Sequence, residues 1–261
     1  MARALYVETS VRVGRGGAAG TVDDLWHLTQ DPALHPRWDL RFSAITPTGA
    51  DDEGHRLFRY DLTLPAPRLP LVTVTGTGVS TASRRRADGG GTSALRWGAA
   101  GPLSPLGAGS GYWRYVPDGD HVRFLTGYDY EPGWGRLGRW LDPWLVRPLV
   151  GRATAWSFDR LRLWAERGLD PARARDAALA LAAGRVGALM GAAALARRAA
   201  RHRSGAPAVV AALVAAAAVL APAPPGVPSA RRCRRRPPDR LAATPPRDLA
   251  GLPAARAGAD R

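Results

Sequence analysis

The sequence predicts an α+β domain in which a curved antiparallel sheet wraps around one long helix near residue 150. Two observations support this fold class. Between residues 4 and 130 the chain reads as short strands separated by turn-forming residues, and between residues 135 and 167 large apolar side chains recur at steps of three and four. Because consecutive strands have short connections, the sheet should be antiparallel, and it must curl to bury the apolar stripe of the helix.

The first strand and the helices after it have clear local signals. From Ala4 to Val13 apolar and polar residues alternate, which is the period of a half-buried strand. Thr21 is followed three residues later by Asp24, a capping-box pattern that predicts a helix through Leu28. Asp31-Pro32 offers a second helix start, with Asp as the N-cap and Pro in the first turn. Two short helices in tandem should therefore follow the first strand.

Six further strands are predicted between residues 40 and 130, bounded by Gly, Asp and Pro clusters that favour turns. They are Leu40–Pro47, His55–Leu64, Leu71–Ser80, Thr92–Ala99, Gly109–Pro117 and His121–Tyr130. The proline-containing segments 64–70 and 101–107 are interpreted as loops at the rim of a pocket. The break after the last strand, residues 131–135, is expected at the entrance of that pocket.

The long helix has an apolar face that is unusually rich in tryptophan. Arginine and aspartate separate the members of this stripe, so the helix is amphipathic. Such a face predicts burial against the sheet. The stripe comprises Leu137, Trp140, Leu141, Trp144, Leu145, Pro148, Leu149, Ala153, Trp156, Leu161 and Trp164.

Several segments resemble one known superfamily. DPALHPRWD after the first helix, the strand RFLTGYDYEP and the helix ending AWSFDRLRLWAERG are similar to SRPBCC or START-like proteins of the polyketide cyclase/dehydrase and lipid-transport type. The resemblance covers roughly residues 4–168. It implies a helix-grip fold, in which a seven-stranded antiparallel sheet encloses an apolar cavity against the C-terminal helix. The glycine-rich segment 14–20 is longer than the link that is usual in that superfamily.

Composition divides the chain into three predicted regions. All nine Trp and six Tyr precede Gly168, so the START-like domain is placed in residues 1–168. Residues 169–221 are Ala-rich and favour helices. Within them, the uncharged run 208–221 would span only about 21 Å, which is short for a bilayer core. Residues 222–261 are rich in Pro and Arg and are predicted to be disordered.

Charge and cysteine content exclude several classes of protein. The net charge of +15 lies mostly in the tail, since residues 169–261 hold 16 arginines and 5 acidic residues. No lysine occurs, so the basicity is attributed to coding bias and no specific nucleic-acid partner is expected. The single cysteine, Cys233, excludes an internal disulfide. The N-terminus has no signal-peptide pattern, and we expect a cytoplasmic protein whose residues 177–221 could associate with a membrane.

No motif indicates a cofactor or a metal ion. Gly14-x-Gly16-x-x-Ala19 lies between a strand and a helix, but no βαβ units follow it, so a surface loop is favoured over a dinucleotide site. The five histidines lack metal-ligand spacing. His35 is the one histidine expected near the cavity mouth. The polar residues Asp39, Asp61, Arg96, Arg114, Asp129 and Glu131 are expected to point outward.

Aromatic side chains on the strands and on the closing helix are the best candidates for a ligand site. Tyr and Trp combine a large apolar face with one hydrogen-bonding atom, which suits a pocket for a flat or greasy molecule. The alternative is that they are ordinary core residues. The predicted ligand-binding set is Trp38, Tyr60, Trp97, Trp113, Tyr115, Tyr128, Tyr130, Trp134 and Trp140.

Three functions stay open from the sequence, and the third makes the domain a membrane-associated adaptor with the tail as its tether. The first is binding, and potentially transport, of a hydrophobic small molecule such as a lipid or polyketide. The second, implied by the resemblance, is a polyketide cyclase or dehydratase, in which a tyrosine and a nearby acid or arginine polarise a carbonyl. Without two convergent ionisable groups in the pattern, no catalytic residue can be named. The apolar inward positions favour binding.

Overall fold

The computed structural model describes residues 4–14, 21–64, 72–81, 84–85, 89–99 and 104–255. The chain forms two compact units. The first comprises Met1–Pro171 together with Ser229–Arg261, and the second comprises Ala172–Pro228. Residues 15–20 of the glycine-rich segment and residues 65–71, which include most of the predicted rim loop 64–70, lie outside the described residues.

In the first unit, two helices follow β1 (Leu5–Arg12), as predicted. Helix α1 (Val22–Gln30) begins at Thr21, whose hydroxyl accepts a hydrogen bond from the backbone N–H of Asp24 at 3.2 Å. Helix α2 (His35–Trp38) starts four residues after Asp31, because the Asp31 carboxylate caps a turn by accepting from the backbone N–H of Ala33. The N-cap predicted at Thr21 is therefore confirmed, whereas Asp31 closes a turn ahead of α2 and is not its N-cap.

Seven strands form one continuous antiparallel sheet in the order β1-β8-β7-β6-β4-β3-β2, and the two-residue strand β5 pairs with β6. Each predicted strand is present. Strand β2 starts late, because residues 39–43 form a turn, and β7 starts three residues early. The strands after β1 are β2 (Ala44–Ala50), β3 (Arg56–Leu64), β4 (Val72–Ser80), β5 (Arg84–Arg85), β6 (Gly91–Ala99), β7 (Leu106–Asp118) and β8 (His121–Pro132).

The gripped helix is α4 (Arg147–Arg167), which ends at Gly168 in the left-handed conformation. Its second half forms the core with the concave face of the sheet. Phe158 and Leu161 are fully buried among Val11, Phe124 and Trp38. The predicted fold class, a helix-grip arrangement, is therefore what the chain adopts.

The helical stretch before α4 departs from the prediction of one continuous, buried amphipathic helix. It consists of α3 (Gly135–Leu141) and a π-helical turn (Asp142–Val146) that leads into α4. Proline at position 143 lacks an N–H and disfavours regular α-helical bonding there. The tryptophans of this half are exposed: Trp140 keeps 68% and Trp144 keeps 82% of its accessible surface.

Residues 229–255 form a strap that returns to the sheet, which differs from the disordered tail expected from composition. The backbones of Arg234 and Glu8 exchange two hydrogen bonds of 2.9 Å along the free edge of β1. Farther on, Ala242 and Leu252 are buried against the convex face of the sheet. The strap therefore covers one sheet edge and part of the outer face. Its two short helices are α7 (Arg240–Ala243) and α8 (Asp248–Gly251).

The second unit is a pair of helices, α5 (Pro171–His202) and α6 (Gly205–Leu220). Helix α6 runs back along α5, so that the Arg185 guanidinium donates to the carbonyl of Ala221 at 2.5 Å. By length and composition α5 is able to cross a membrane, and few of its residues are buried. The sequence had suggested the shorter run 208–221 for that role, whereas α5 meets the length requirement.

Candidate functional site

A cavity of about 470 Å³ lies between the concave face of the sheet and the first turns of α4. Its walls are mostly apolar. Strands β3 and β6 contribute Phe58, Leu62 and Leu95, and α4 contributes Val150 and Ala153. This volume is in the range of pockets that hold a drug-sized or lipid-like molecule.

Solvent-exposed members of the lining mark the mouth of the cavity. Leu40 and Leu149 both line it, and they keep 43% and 54% of their accessible surface. Thr63, near the end of β3, lies on the same rim. The described end of the second predicted rim loop, residues 104–106, also lines the cavity. The mouth thus opens between the α2–β2 turn, the end of β3 and the start of α4.

Four of the nine aromatic residues predicted from the sequence line this cavity: Tyr60, Trp97, Trp113 and Tyr128. Their alternation along β3, β6, β7 and β8 brings them to the same concave face. The Trp97 ring has room because the residue paired with it on β7 is Gly109, which has no side chain. A Cβ atom at position 109 would lie 2.3 Å from the Trp97 ring. Burial raises the pKa of the Tyr60 phenol to about 12, so this hydroxyl stays neutral.

Two of the other five predicted residues lie in the solid core instead of the cavity lining. Trp38 is fully buried, and its indole N–H donates to the carbonyl of Leu28 at 3.0 Å. Tyr115 is fully buried too, and its hydroxyl bonds Gln30 at 2.9 Å. Both rings fill the space between α1 and the sheet, so local partners already satisfy their polar atoms.

The remaining three predicted residues lie at or beyond the end of β8. The Tyr130 hydroxyl donates to the Asp142 carboxylate at 2.5 Å, and this hydrogen bond fixes the π turn to the sheet. Trp134 and Trp140 are exposed to solvent. Strand parity and helical spacing could not separate these positions from the cavity lining, because the chain leaves the sheet at residue 132.

Arg41 is the functional candidate that the sequence analysis missed. It is the only charged side chain among the described residues that line the cavity. It follows α2 in a turn that no strand or helix periodicity covers. Its guanidinium lies 5.4 Å from the ring centres of both Trp113 and Tyr128, a distance typical of cation–π contact.

Asp39 holds Arg41 in place. The Arg41 Nε and Nη2 atoms donate to the two carboxylate oxygens at 3.0 and 2.7 Å, in a bidentate geometry. The Asp39 side chain has no accessible surface, whereas Arg41 keeps 19%, and Arg41 lines the cavity. Asp39 is thus a buried counter-ion and not the outward, solvated residue that the sequence suggested.

His35 contacts the same Asp39 carboxylate through its imidazole ring. One ring nitrogen lies 3.2 Å from Asp39 Oδ2 and the other lies 2.6 Å from the carbonyl oxygen of Thr29. His35 is buried against Trp38 and Trp113 and does not line the main cavity, although the sequence had placed it near the mouth. Its position makes it a positioning residue for the Asp39–Arg41 pair.

The electrostatics of this pair favour the ionised forms. Burial by itself would raise the pKa of Asp39, but the adjacent Arg41 charge and the hydrogen bonds from His35 and Arg41 outweigh it. The pKa of Asp39 is held well below its usual range as a result. For Arg41, burial would lower the pKa, but Asp39 raises it above its normal value. A cation is therefore maintained at the wall of an apolar cavity.

Arg41 keeps donor capacity for a ligand. A guanidinium has five N–H groups. Asp39 accepts two of them, and the Tyr128 hydroxyl accepts one. Two N–H groups thus have no acceptor among the described residues. The Tyr128 hydroxyl lies 2.7 Å from Thr154 Oγ1, and the Thr154 hydroxyl donates a hydrogen bond to the Val150 carbonyl.

The arrangement supports recognition more readily than proton transfer. Burial raises the pKa of Tyr128, so its hydroxyl is a neutral hydrogen-bonding group. Asp39 lies behind Arg41 and is absent from the described cavity lining. Within the described ranges, no group of three or more His, Cys, Asp or Glu side chains could hold a metal ion. What the site offers chemically is an apolar volume with one cationic donor at its wall.

The strand order and the gripped helix identify the fold directly. This is a helix-grip fold. No protein-family model matches the chain. An uncharacterized membrane protein of Bacillus subtilis (strain 168), YndG, is 39% identical over 170 residues, which is 65% of this chain and 59% of the relative. The chain therefore spans about three fifths of that relative.

Solved structures with similarity to this chain include two bacterial proteins. TTHA0849 from Thermus thermophilus has a TM-score of 0.44 with 12% identity, and the match covers 61% of this chain and 97% of that one. A STAR-related lipid transfer protein from Xanthomonas axonopodis has a TM-score of 0.41 with 18% identity, covering 60% and 82% of the two chains.

Proposed function

We propose that the START-like domain binds a hydrophobic small molecule whose single polar group accepts hydrogen bonds from Arg41. The observation that carries this proposal is the combination of an apolar cavity of about 470 Å³ with one cationic wall residue. A lipid or polyketide fits this description. Transport of the bound molecule is a role consistent with such a cavity.

The energetics favour an amphiphilic ligand over a purely apolar one. Water inside a narrow apolar cavity cannot satisfy the free N–H groups of Arg41 as bulk water does. A ligand carbonyl or carboxylate at this wall restores those hydrogen bonds in a region of low dielectric, where they are strong. The apolar remainder of the ligand gains about 25 cal/mol for each Å² that it removes from water. Shape selects the apolar part, and Arg41 sets its orientation.

The test fills the cavity without changing the surface. Ala153→Trp places a large side chain into the cavity, whereas Arg152→Trp puts the same side chain on the exposed face of the same helix. We expect the neutral fluorescent probe N-phenyl-1-naphthylamine to bind the wild type and Arg152→Trp equally, and to lose its binding to Ala153→Trp. Equal binding to all three proteins would show that the probe does not occupy this cavity.

A cyclase or dehydratase activity is the second candidate, and the contact between Arg41 and Tyr128 is what favours it. These two groups could polarise a ligand carbonyl together. Turnover of a poly-β-ketone analogue by the wild type that is lost in Tyr128→Phe, with retained probe binding, would support the enzyme. Unchanged substrate after prolonged incubation with wild-type protein would exclude this activity for that analogue.

We further propose that the second unit associates with a membrane. Its exposed aliphatic residues include Leu179, Leu189 and Val210, and the Bacillus relative YndG is named as a membrane protein. Pairing Leu179→Arg with Leu189→Arg should shift the full-length protein from the membrane pellet to the soluble fraction. Leu241→Arg, at an exposed position of the strap, is the control and should leave the distribution unchanged.

A further inference from the structure

The segment between the sheet and α4 carries a strip of large apolar side chains that face solvent. We define the exposed strip as the six residues whose exposed fractions range from 43% to 82%. Neighbouring members lie one to four positions apart along α3, the π turn and the start of α4, and the three- and four-residue steps place them on one side of the segment. The strip comprises Trp134, Leu137, Trp140, Trp144, Leu145 and Leu149.

The opposite side of this segment is fixed to the domain. Asp142 is buried and accepts hydrogen bonds from the Tyr130 hydroxyl at 2.5 Å and from Arg147 Nε at 2.9 Å. Val146 is also buried. Because these inward contacts set the rotation of the segment, the strip is held outward and its exposure is built into the packing.

Positive charge accompanies the strip. Arg136 and Arg139 are exposed on α3, and neither forms an ion pair in the part of the chain that the structure describes. The acidic residue of the same segment, Asp142, is engaged with Arg147. The outer side of α3 therefore combines tryptophan, leucine and uncompensated arginine.

We propose that the exposed strip docks on the surface of a lipid bilayer that contains anionic lipids. Tryptophan prefers the interface between headgroups and acyl chains, and an amphipathic helix with arginine beside its apolar face binds there in the plane of the surface. Anionic headgroups complement Arg136 and Arg139. The same chain continues, three residues after α4, into α5, a helix long and apolar enough to cross a membrane.

Docking through this strip has a consequence for the cavity. Leu149 belongs both to the strip and to the cavity mouth. A bilayer that contacts the strip is therefore adjacent to the opening, and an apolar molecule could pass between the two without crossing bulk water. The docking itself does not depend on which ligand the cavity holds.

The experiment places a probe at one position of the strip in the full-length protein. Trp144→Cys is labelled with an environment-sensitive fluorophore. The native Cys233 stays unlabelled, because it is buried and its pKa is raised to about 12, chiefly by that burial. Glu53→Cys is the matched control: its side chain is 76% exposed, in the β2–β3 hairpin at the opposite end of β3 from the mouth.

Both labelled proteins are combined with vesicles of phosphatidylcholine and phosphatidylglycerol that carry a quencher near the headgroups. We expect a blue shift and strong quenching at position 144 and little change at position 53. Pairing Arg136→Gln with Arg139→Gln should weaken the response at 144, by about fivefold for each arginine, on vesicles with anionic lipid. On pure phosphatidylcholine this pair should have a much smaller effect.

Three outcomes would overturn the proposal. Equal quenching at positions 144 and 53 would show that the strip has no specific contact with lipid. A blue shift at 144 that grows with protein concentration in the absence of vesicles would identify a second copy of the chain as the occupant. A probe that is already shielded in dilute, vesicle-free protein, and does not respond to vesicles, would show that the chain covers its own strip.

Discussion

Replacing Asp39 by Asn should destabilise the domain severely, because it leaves the Arg41 cation without its buried counter-ion. Asp39 accepts hydrogen bonds from Arg41 Nε, from Arg41 Nη2 and from the backbone N–H of Arg41, at 2.7 to 3.0 Å, and it has no solvent-exposed surface. Removing one partner of a buried ion pair typically costs about 3 to 5 kcal/mol. For a chain of this length, that corresponds to a decrease in the melting temperature of about 6 to 20 °C.

The double variant Asp39→Asn/Arg41→Met separates the ion pair from the packing around it. With both charges removed no uncompensated cation remains, so the loss of stability should be smaller than in Asp39→Asn alone. Urea unfolding followed by tryptophan fluorescence measures both, since Trp38 and Trp113 lie in the core beside the pair. A loss below about 1 kcal/mol in Asp39→Asn, or equal losses in the single and double variants, would refute this view of the pair.

Further predictions concern acid, the cysteine and the strap. The pKa of Asp39 is lowered in the folded state, so the stability that its carboxylate contributes is present above the unfolded pKa and is lost as the pH falls through the acid range. Between pH 7 and pH 3, the urea midpoint should therefore fall more steeply for the wild type than for Asp39→Asn/Arg41→Met. Cys233, with its pKa raised to about 12 in a buried site, should react with a thiol reagent at pH 8 only after urea unfolding, and rapid labelling of native protein would contradict its placement. Leu252→Ala should cost about 2 kcal/mol of unfolding free energy, and Leu241→Ala, at an exposed position of the same strap, almost none. Equal effects of the two would argue against the packing of the strap on the sheet.

The sheet was predictable because strand alternation is a local property of the sequence. The alternation of apolar and polar residues predicts that side chains such as those of Val7 and Phe124 point inward, and the structure places both in the core. The same parity argument brought Trp97 and Tyr128 to the concave face. It could not distinguish cavity lining from solid core, because that depends on how far the gripped helix lies from each strand.

Other features depend on contacts that periodicity does not carry. The tryptophan stripe of α3 has the spacing of a core-facing helix, but amphipathic spacing is the same whether the apolar side meets a core or a lipid surface. Arg41 lies in a turn, where no pattern sets direction. The strap is held partly by backbone carbonyls, for example those of Leu241 and Thr244, which accept hydrogen bonds from Arg114. Such acceptors exist in every residue, so composition alone suggested disorder.

The proposed ligand site depends most directly on Arg41 as the residue that orients a ligand inside the cavity. Two fluorescent probes that share one ring system measure this: 1-anilinonaphthalene-8-sulfonate carries an anion, and N-phenyl-1-naphthylamine does not. Since a hydrogen bond to a charged group contributes about 1.5 to 3 kcal/mol, Asp39→Asn/Arg41→Met should bind the sulfonate at least about tenfold more weakly than the wild type does. Affinity for the neutral probe should stay within about twofold. An unchanged affinity for the sulfonate, or an equal loss for both probes, would contradict the assignment of Arg41 as the ligand-orienting residue.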